Sequence, residues 1–151
     1  MNDTLGSEMR PVTPADADHI ALHRYPDETD AEERPMYAAW VAGALADGRY
    51  VGYVVEHGTD AIAGAGLTVL EWGPSRGDPQ PWRGRIVNVW THLEHRRHGH
   101  ARRLVTACLD AARARGITRV QLGTSDMARG LYAALGFQSS STEMWLVLPA
   151  D

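Results

Sequence analysis

The sequence predicts a single α/β domain built on a mixed, strongly twisted sheet. Apolar residues alternate along residues 50–56 and 61–71 with turn-forming residues between them, which is typical of an antiparallel hairpin. From residue 85 onward, strand-like segments at 85–91 and 118–123 are each followed by a helix-like stretch. At 151 residues with 44% apolar content, the chain has the size of one ordinary domain. We therefore expect one domain over residues 1–151.

The first part of the chain is predicted to supply a short strand and two helices. Residues 8–12 have the pattern of a strand, and Thr13 followed by a proline is typical of a helix N-terminus. We expect this first helix to stop before Tyr25-Pro26. Apolar residues at helical spacing predict a second helix from about Thr29 to Asp47, whose first turns Pro35 breaks or offsets.

The second part of the chain is predicted to begin with a long loop. Residues 72–84 hold three prolines and three glycines, which is too many for a regular element. Beyond this loop we expect strands at 85–91, 118–123 and 143–148, and helices at 100–115 and 126–135.

Composition and charge exclude several classes of function. The net charge of −4 gives no overall basic field, so we expect no nucleic-acid partner. No apolar run approaches the roughly 18 residues that a membrane span needs, and the N-terminus lacks the pattern of a secretion signal. Cys108 is the single cysteine, which excludes an internal disulfide and fits a reducing compartment. The expectation is a cytoplasmic protein without a membrane partner.

The run from Arg96 to Ala101 is the most informative short segment. It lies between the predicted strand 85–91 and a long amphipathic stretch, and it holds two arginines and Gly99. Gly99 lets the backbone come close to a ligand. The amides of a first helical turn have no intrahelical acceptors and favour an anion. The segment therefore predicts a phosphate-binding loop.

Two sequence blocks in this half of the chain carry a family resemblance. The first is Asn88-Val89-Trp90-Thr91-His92 leading into Arg96-x-x-Gly99-x-Ala101, and the second is Leu131-Tyr132-Ala133-Ala134-Leu135-Gly136-Phe137. They resemble the R/Q-x-x-G-x-G/A pyrophosphate loop and the L-Y-x-x-L-G-F signature of the GNAT superfamily of acyl-CoA-dependent N-acetyltransferases. The resemblance implies six to seven strands and about four helices. It also implies a sheet that is antiparallel at its start, with strands 4 and 5 parallel and splayed apart.

The resemblance also implies an activity and a set of contacts. Acetyl-CoA would be the acyl donor, a small-molecule or peptide amine the acceptor, and relatives often form homodimers. The amides of residues 97–101 would hold the pyrophosphate beside Arg96, and the edge of strand 85–91 would pair with the pantetheine amides as another strand would. The residues implied to contact acetyl-CoA are Val89, Trp90, Thr91, Arg96, Arg97, His98, Gly99, His100, Ala101, Ser125, Arg129 and Tyr132.

Tyr132 would be the general acid that protonates the departing thiolate. An unperturbed phenol has a pKa of about 10, which is reasonably matched to a thiol with a pKa of about 8.5 to 9. The amide of Val89 or Trp90 would stabilise the oxyanion formed on attack. Cys108 is expected to be buried, so the resemblance favours direct attack by the amine in a ternary complex over a covalent enzyme intermediate.

The general base is left open by the sequence. A well-known branch of the family has a glutamate on the strand before the phosphate loop, where this chain has Arg85, and an arginine cannot serve as a base. Glu56, Glu71 and His92 are the candidates, with ordered water as another route for the proton. The missing glutamate also admits an alternative function, a non-catalytic acyl-CoA-binding sensor domain, against which Tyr132 argues.

The histidines do not predict a metal site. The four at 92, 95, 98 and 100 have no spacing typical of a tetrahedral site and no cysteine or acidic ligand to complete one. His19 and His23 are four apart and share a helix face, but two ligands are too few.

Overall fold

A five-stranded sheet forms the centre of the computed structural model, which describes residues 7–150. Its strands are β1 (Ser7–Pro11), β2 (Tyr50–His57), β3 (Asp60–Glu71), β4 (Trp82–Thr91) and β5 (Val120–Gln121). They lie side by side in chain order, β1 to β4 pairing antiparallel and β4 pairing with β5 in parallel. The mixed sheet, antiparallel at its start and parallel at strands 4 and 5, is therefore confirmed.

Four helices cover this sheet, as the sequence predicts. They are α1 (Ala17–Arg24), α2 (Glu33–Asp47), α3 (His100–Ala114) and α4 (Arg129–Ala134). Short 3-10 turns precede three of them, at Pro14–Asp16, Glu28–Asp30 and Leu93–His95. Within residues 7–150, no helix is both long and apolar enough to cross a bilayer.

The helices form two layers, one on each face of the sheet. Tyr50 packs with Val41 of α2 and Ile20 of α1, whereas the next residue, Val51, packs with the cluster that holds Leu104 of α3. Neighbouring residues of a strand point to opposite faces, so these two clusters lie on opposite sides of the sheet. The layer of α1 and α2 and the layer of α3 and α4 are thus joined through the strands.

Several element boundaries differ from the predicted ones. The second helix begins at Glu33 rather than near Thr29, with Pro35 inside its first turn, where the missing amide of a proline costs no hydrogen bond. β4 begins at Trp82 rather than at residue 85, because Trp82 pairs with Glu71 and extends the hairpin. The loop is correspondingly shorter, at residues 72–81.

The predicted last strand, residues 143–148, is wrong. Residues 138–150 are irregular and exposed in this structure, and Met144 and Trp145 are 94% and 87% exposed. A strand needs a neighbour to hydrogen-bond, and the edge strand β5 consists of two residues and offers almost no ladder. The sheet therefore has five strands in the described residues, fewer than the six to seven expected.

A bulge in β4 interrupts the ladder with β3. Gly64 pairs with Trp90 and Gly66 with Val87, so the register passes over Asn88 and Val89 opposite a single residue of β3. Asn88 has a φ of 55°, in the left-handed region that non-glycine residues seldom adopt. Bulges bend a strand and redirect its side chains.

Candidate active site

A cavity of about 290 Å³ opens where β4 and β5 stop pairing. The two strands pair only at Gly84 with Val120 and at Arg85 with Gln121. Beyond that point residues 86–89 form one wall of the cavity and Leu122, Gly123 and Tyr132 another. His23 and Arg24, at the end of α1, complete the lining. The expected separation of strands 4 and 5 thus leaves a cleft between β4 and the edge strand β5.

Asn88 fixes the shape of the bulge at this cavity. Its side-chain amide donates to the hydroxyls of Tyr37 at 2.8 Å and Tyr50 at 3.1 Å, and its carbonyl oxygen accepts from Arg24 at 3.0 Å. Burial raises the pKa of Tyr50, so that phenol stays protonated and able to take part in this network. The sequence predicts Asn88 within the strand but assigns it no role. The signal for such a role is the presence of an amide side chain in the middle of an apolar strand.

Tyr132 lies in α4 and contributes to the same cavity. It is 7% exposed, and its ring meets that of Phe137 edge to face with centroids 5.9 Å apart. Burial raises the pKa of Tyr132, which keeps the phenol protonated at neutral pH. The protonated phenol is the form that a general acid requires.

The predicted phosphate loop includes residues with left-handed backbone conformations. Arg97 and Gly99 adopt left-handed conformations, with φ of 67° and 77°, and α3 begins directly afterwards at His100. The first turn of α3 carries no acidic residue, and its N-cap residue, Gly99, has no side chain with which to cap the helix. The Arg96 guanidinium donates to the Thr91 carbonyl at 3.2 Å and ties the loop to the end of β4.

Histidines 98 and 100 differ in where their side chains lie. His98 is exposed, whereas His100 is 2% exposed and packs beneath the loop. The His100 ring is therefore shielded from solvent, whereas the His98 ring is accessible.

Ser125 and Arg129 lie at the start of α4. The Ser125 carbonyl accepts from the amide of Arg129 at 3.0 Å, and the Ser125 hydroxyl accepts from the amide of Ala128 at 3.3 Å. The Arg129 guanidinium donates to the Ser139 hydroxyl at 2.8 Å and lies 3.7 Å from Asp126. Both residues support the helix end locally, and their contacts with a cofactor stay predictions.

The three candidate bases are separated in space. Glu56 pairs with Arg10 at the β1 edge of the sheet, and Glu71 is exposed at the end of β3. Neither carboxylate belongs to the described lining of the cavity. His92 is exposed at the end of β4, and its ring centroid lies 5.3 Å from that of His23, which does line the cavity. Arg85, in place of the family's glutamate, lies beside Gly123, which does line the cavity.

The histidines regroup in a way that the sequence does not predict. His92 does not lie with the other histidines of residues 92–100. It packs with His19 and His23 of α1 around the indole of Trp90. His95 lies instead near His57, with ring centroids 5.5 Å apart. Residues far apart in the chain thus form a three-histidine cluster at the rim of the cavity.

The two tryptophans of the long loop do not reach the cavity. Trp72 and Trp82 lie at the base of the loop, at the end of β4 away from the phosphate loop, and Trp72 is covered by the Arg83 guanidinium, 4.3 Å from the ring centroid. Trp40 of α2 stacks on Tyr37 with centroids 5.7 Å apart. None of these three tryptophans belongs to the described lining of the cavity.

Comparison with known proteins agrees with this geometry. The family described as "Acetyltransferase (GNAT) family" matches residues 10–137. A GCN5-related N-acetyltransferase from Ralstonia eutropha is 34% identical, with a TM-score of 0.85 over 95% of this chain and 99% of that one. No curated protein matches the sequence.

Two further solved structures share the fold at lower identity. A predicted acetyltransferase from Clostridium acetobutylicum, crystallised with acetyl-CoA, is 21% identical with a TM-score of 0.83, covering 95% of this chain and 96% of that one. Glucosamine-6-phosphate N-acetyltransferase from Arabidopsis thaliana is 18% identical with a TM-score of 0.75, covering 95% of this chain and 99% of its own.

Proposed function

The chain belongs to the GNAT family of acetyltransferases, and from this premise we propose that it transfers an acetyl group from acetyl-CoA to a primary amine. The observation that carries the proposal is the cavity between β4 and β5, which has the buried, protonated Tyr132 in its wall. The predicted phosphate loop, which follows β4 and leads into α3, supports it. The amine would attack directly, in a complex that holds both substrates.

The donor fits the loop and the strand edge. The amides of residues 97–101, at the positive end of α3, would hold the pyrophosphate, with Arg96 adding positive charge. A Cβ added at Gly99 would meet no atom within 4 Å, so there is open space beside the loop for phosphate groups. Val89 and Thr91, at the edge that β5 leaves uncovered, would pair with the amides of the pantetheine arm. Ser125 and Arg129 are also proposed to contact acetyl-CoA.

The transfer step needs an attacking amine, a hydrogen-bond donor to the oxyanion and a general acid. The amine nitrogen attacks the thioester carbonyl carbon, a C–N bond forms, and the carbonyl oxygen becomes an oxyanion. The bulge takes Val89 out of the β3 ladder register and puts it on the cavity wall, so its amide, or that of Trp90, is the proposed donor to the oxyanion. As the C–S bond breaks, Tyr132 gives its proton to the CoA thiolate. The nitrogen loses one proton to ordered water as the amide forms, and water returns a proton to the Tyr132 phenolate.

A covalent route through Cys108 has no support. Its side chain is fully buried in the core beneath α3, and burial raises the pKa of the thiol to about 12. A thiol in this state is a poor nucleophile, since the thiolate is the reactive form. Direct attack is therefore the proposed path.

The wall of the cavity formed by His23 and Arg24 of α1 is the proposed acceptor side. This wall is polar and carries a positive charge. Arg24 lies on this wall, 4.4 Å from the centroid of the Tyr37 ring, and no carboxylate belongs to the described lining. This lining gives no reason to prefer a polyamine. The panel of acceptors to be tested therefore includes amines with a carboxylate or phosphate group, amino sugars, polyamines and peptides.

We expect Tyr132→Phe to lower kcat about 100-fold at unchanged acetyl-CoA affinity, because general acid catalysis is typically worth about that much or more. The measurement is release of free CoA thiol with each amine of the panel. Cys108→Ala is the matched control, and it should keep most of the turnover. Loss of all activity in Cys108→Ala would overturn direct attack, and a wild-type rate in Tyr132→Phe would remove the general acid. A chain that binds acetyl-CoA but releases no thiol with any amine would favour the sensor alternative.

A further inference from the structure

His19, His23 and His92 form a cluster that the transfer step proposed above does not use, although His92 by itself is a candidate base. The Nε2 atoms of His19 and His23 are 2.9 Å apart, because four residues make about one turn of α1. One nitrogen from each of the three histidines lies within 4.8 Å of the other two. No carboxylate or thiol takes part in the group, which is a set of three imidazoles from two elements of the fold.

Trp90 is the platform that holds the three rings together. The His23 ring stacks on the indole with centroids 3.6 Å apart, and the rings of His19 and His92 meet it edge-on at 5.1 and 5.4 Å. The indole occupies the space above Gly64, where a Cβ would lie 2.5 Å from its Nε1. Stacking on the indole therefore holds the His23 ring in place before any ligand binds.

We propose that His19, His23 and His92 form a binding site for a zinc-class divalent transition-metal ion. Neutral imidazole nitrogens are common ligands of zinc, at about 2.0 to 2.1 Å from the metal. Two nitrogens bound to one metal ion at that distance, with a tetrahedral angle at the metal, lie about 3.3 Å apart. The 2.9 Å pair opens slightly to reach this value, and His92, exposed at the end of β4, moves inward by rotation of its side chain.

The number of histidines also suits the site to a metal. Three histidines leave a fourth position open, which is the coordination of a catalytic rather than a structural zinc site. Because His23 also lines the cavity between β4 and β5, a bound metal would lie at the edge of the acceptor space.

Metal binding to the full-length chain tests this proposal without any activity assay. Titration with Co²⁺ should give the visible absorption of a tetrahedral site at one ion per chain, and Zn²⁺ should displace it. His19→Ala and His92→Ala should each weaken binding at least tenfold. His57→Ala, a histidine outside the cluster, is the control and should bind within about twofold of wild type.

Circular dichroism and the thermal midpoint establish that each variant is folded, and His92→Ala is the more secure of the two because His92 is exposed. The proposal is overturned if the wild type binds neither ion more tightly than about 100 μM. It is also overturned if folded His19→Ala and His92→Ala variants bind as wild type does, since the ion then lies elsewhere. The result is independent of acetyl transfer, so either idea can fail without the other.

Discussion

Asn88 joins three elements at the point where the candidate site begins. Its hydrogen bonds reach Arg24 of α1, Tyr37 of α2 and Tyr50 of β2, and its own backbone is in the left-handed region. The strain of that backbone conformation is offset by bonds that only the folded chain supplies. A single amide side chain thus fixes the bulge and, through it, the direction in which Val89 faces.

Gly66 is needed for the packing of Tyr50. A Cβ at this position would lie 2.1 Å from the Tyr50 hydroxyl oxygen and 2.5 Å from Cζ, in a region where Tyr50 is 2% exposed. We expect Gly66→Ala to lower the free energy of unfolding by about 1 to 3 kcal/mol, the usual cost of overpacking a core. Urea denaturation measures this change.

The control for Gly66→Ala is Gly43→Ala. Gly43 is exposed in α2 and would meet no atom within 4 Å, so alanine there should raise stability by about 0.5 to 1 kcal/mol through its higher helix propensity. Equal effects of the two substitutions would contradict the packing argument.

At the scale of elements, α3 offers a matched pair of glycines at its two ends. Gly99 before its first turn and Gly116 after its last have φ of 77° and 76°, and neither would place a Cβ within 4 Å of another atom. Alanine at either position should cost about 1 to 2 kcal/mol of stability, because a left-handed conformation is strained for any residue with a Cβ. Only Gly99→Ala should also weaken CoA binding, by about tenfold, since only Gly99 belongs to the proposed phosphate loop.

Calorimetric titration with CoA, together with thermal unfolding, separates these two effects. If Gly116→Ala weakens CoA binding as much as Gly99→Ala does, the effect comes from lost stability and not from the loop.

The elements of the second half of the chain show what a sequence pattern can and cannot predict. The pattern placed β4 and α3 nearly correctly because apolar periodicity and a glycine before a helix are local signals. It placed a strand at 143–148 that does not form, because alternation states only that a segment is able to pair. To form a strand, residues 143–148 need the edge of a neighbouring strand for hydrogen bonding, and β5 is too short to provide that edge.

At the scale of the whole molecule, we propose that the chain folds as one domain. The two apolar clusters lie on opposite faces of one sheet and share β2, through Tyr50 on one face and Val55 on the other. Val41→Ala should remove about 2 kcal/mol of stability on one face and Leu104→Ala about 2 to 5 kcal/mol on the other, since both side chains are fully buried.

Both substitutions are expected to lower the midpoint of a single transition. Tryptophan fluorescence and far-ultraviolet circular dichroism should report the same urea midpoint for each variant. Probes that diverge, or substitutions that shift different transitions, would indicate two independently folding layers.

The sequence by itself determined the class of the fold and the order of the elements as far as α4, and it predicted the phosphate loop and the role of Tyr132, because each depends on neighbours within a few turns of the chain. Only the tertiary structure decided the β4 bulge, the role of Asn88 and the meeting of His19 and His23 with His92. These features depend on the register between β3 and β4 and on the position of α1 over β4. Long-range packing fixes that geometry, and no local pattern records it.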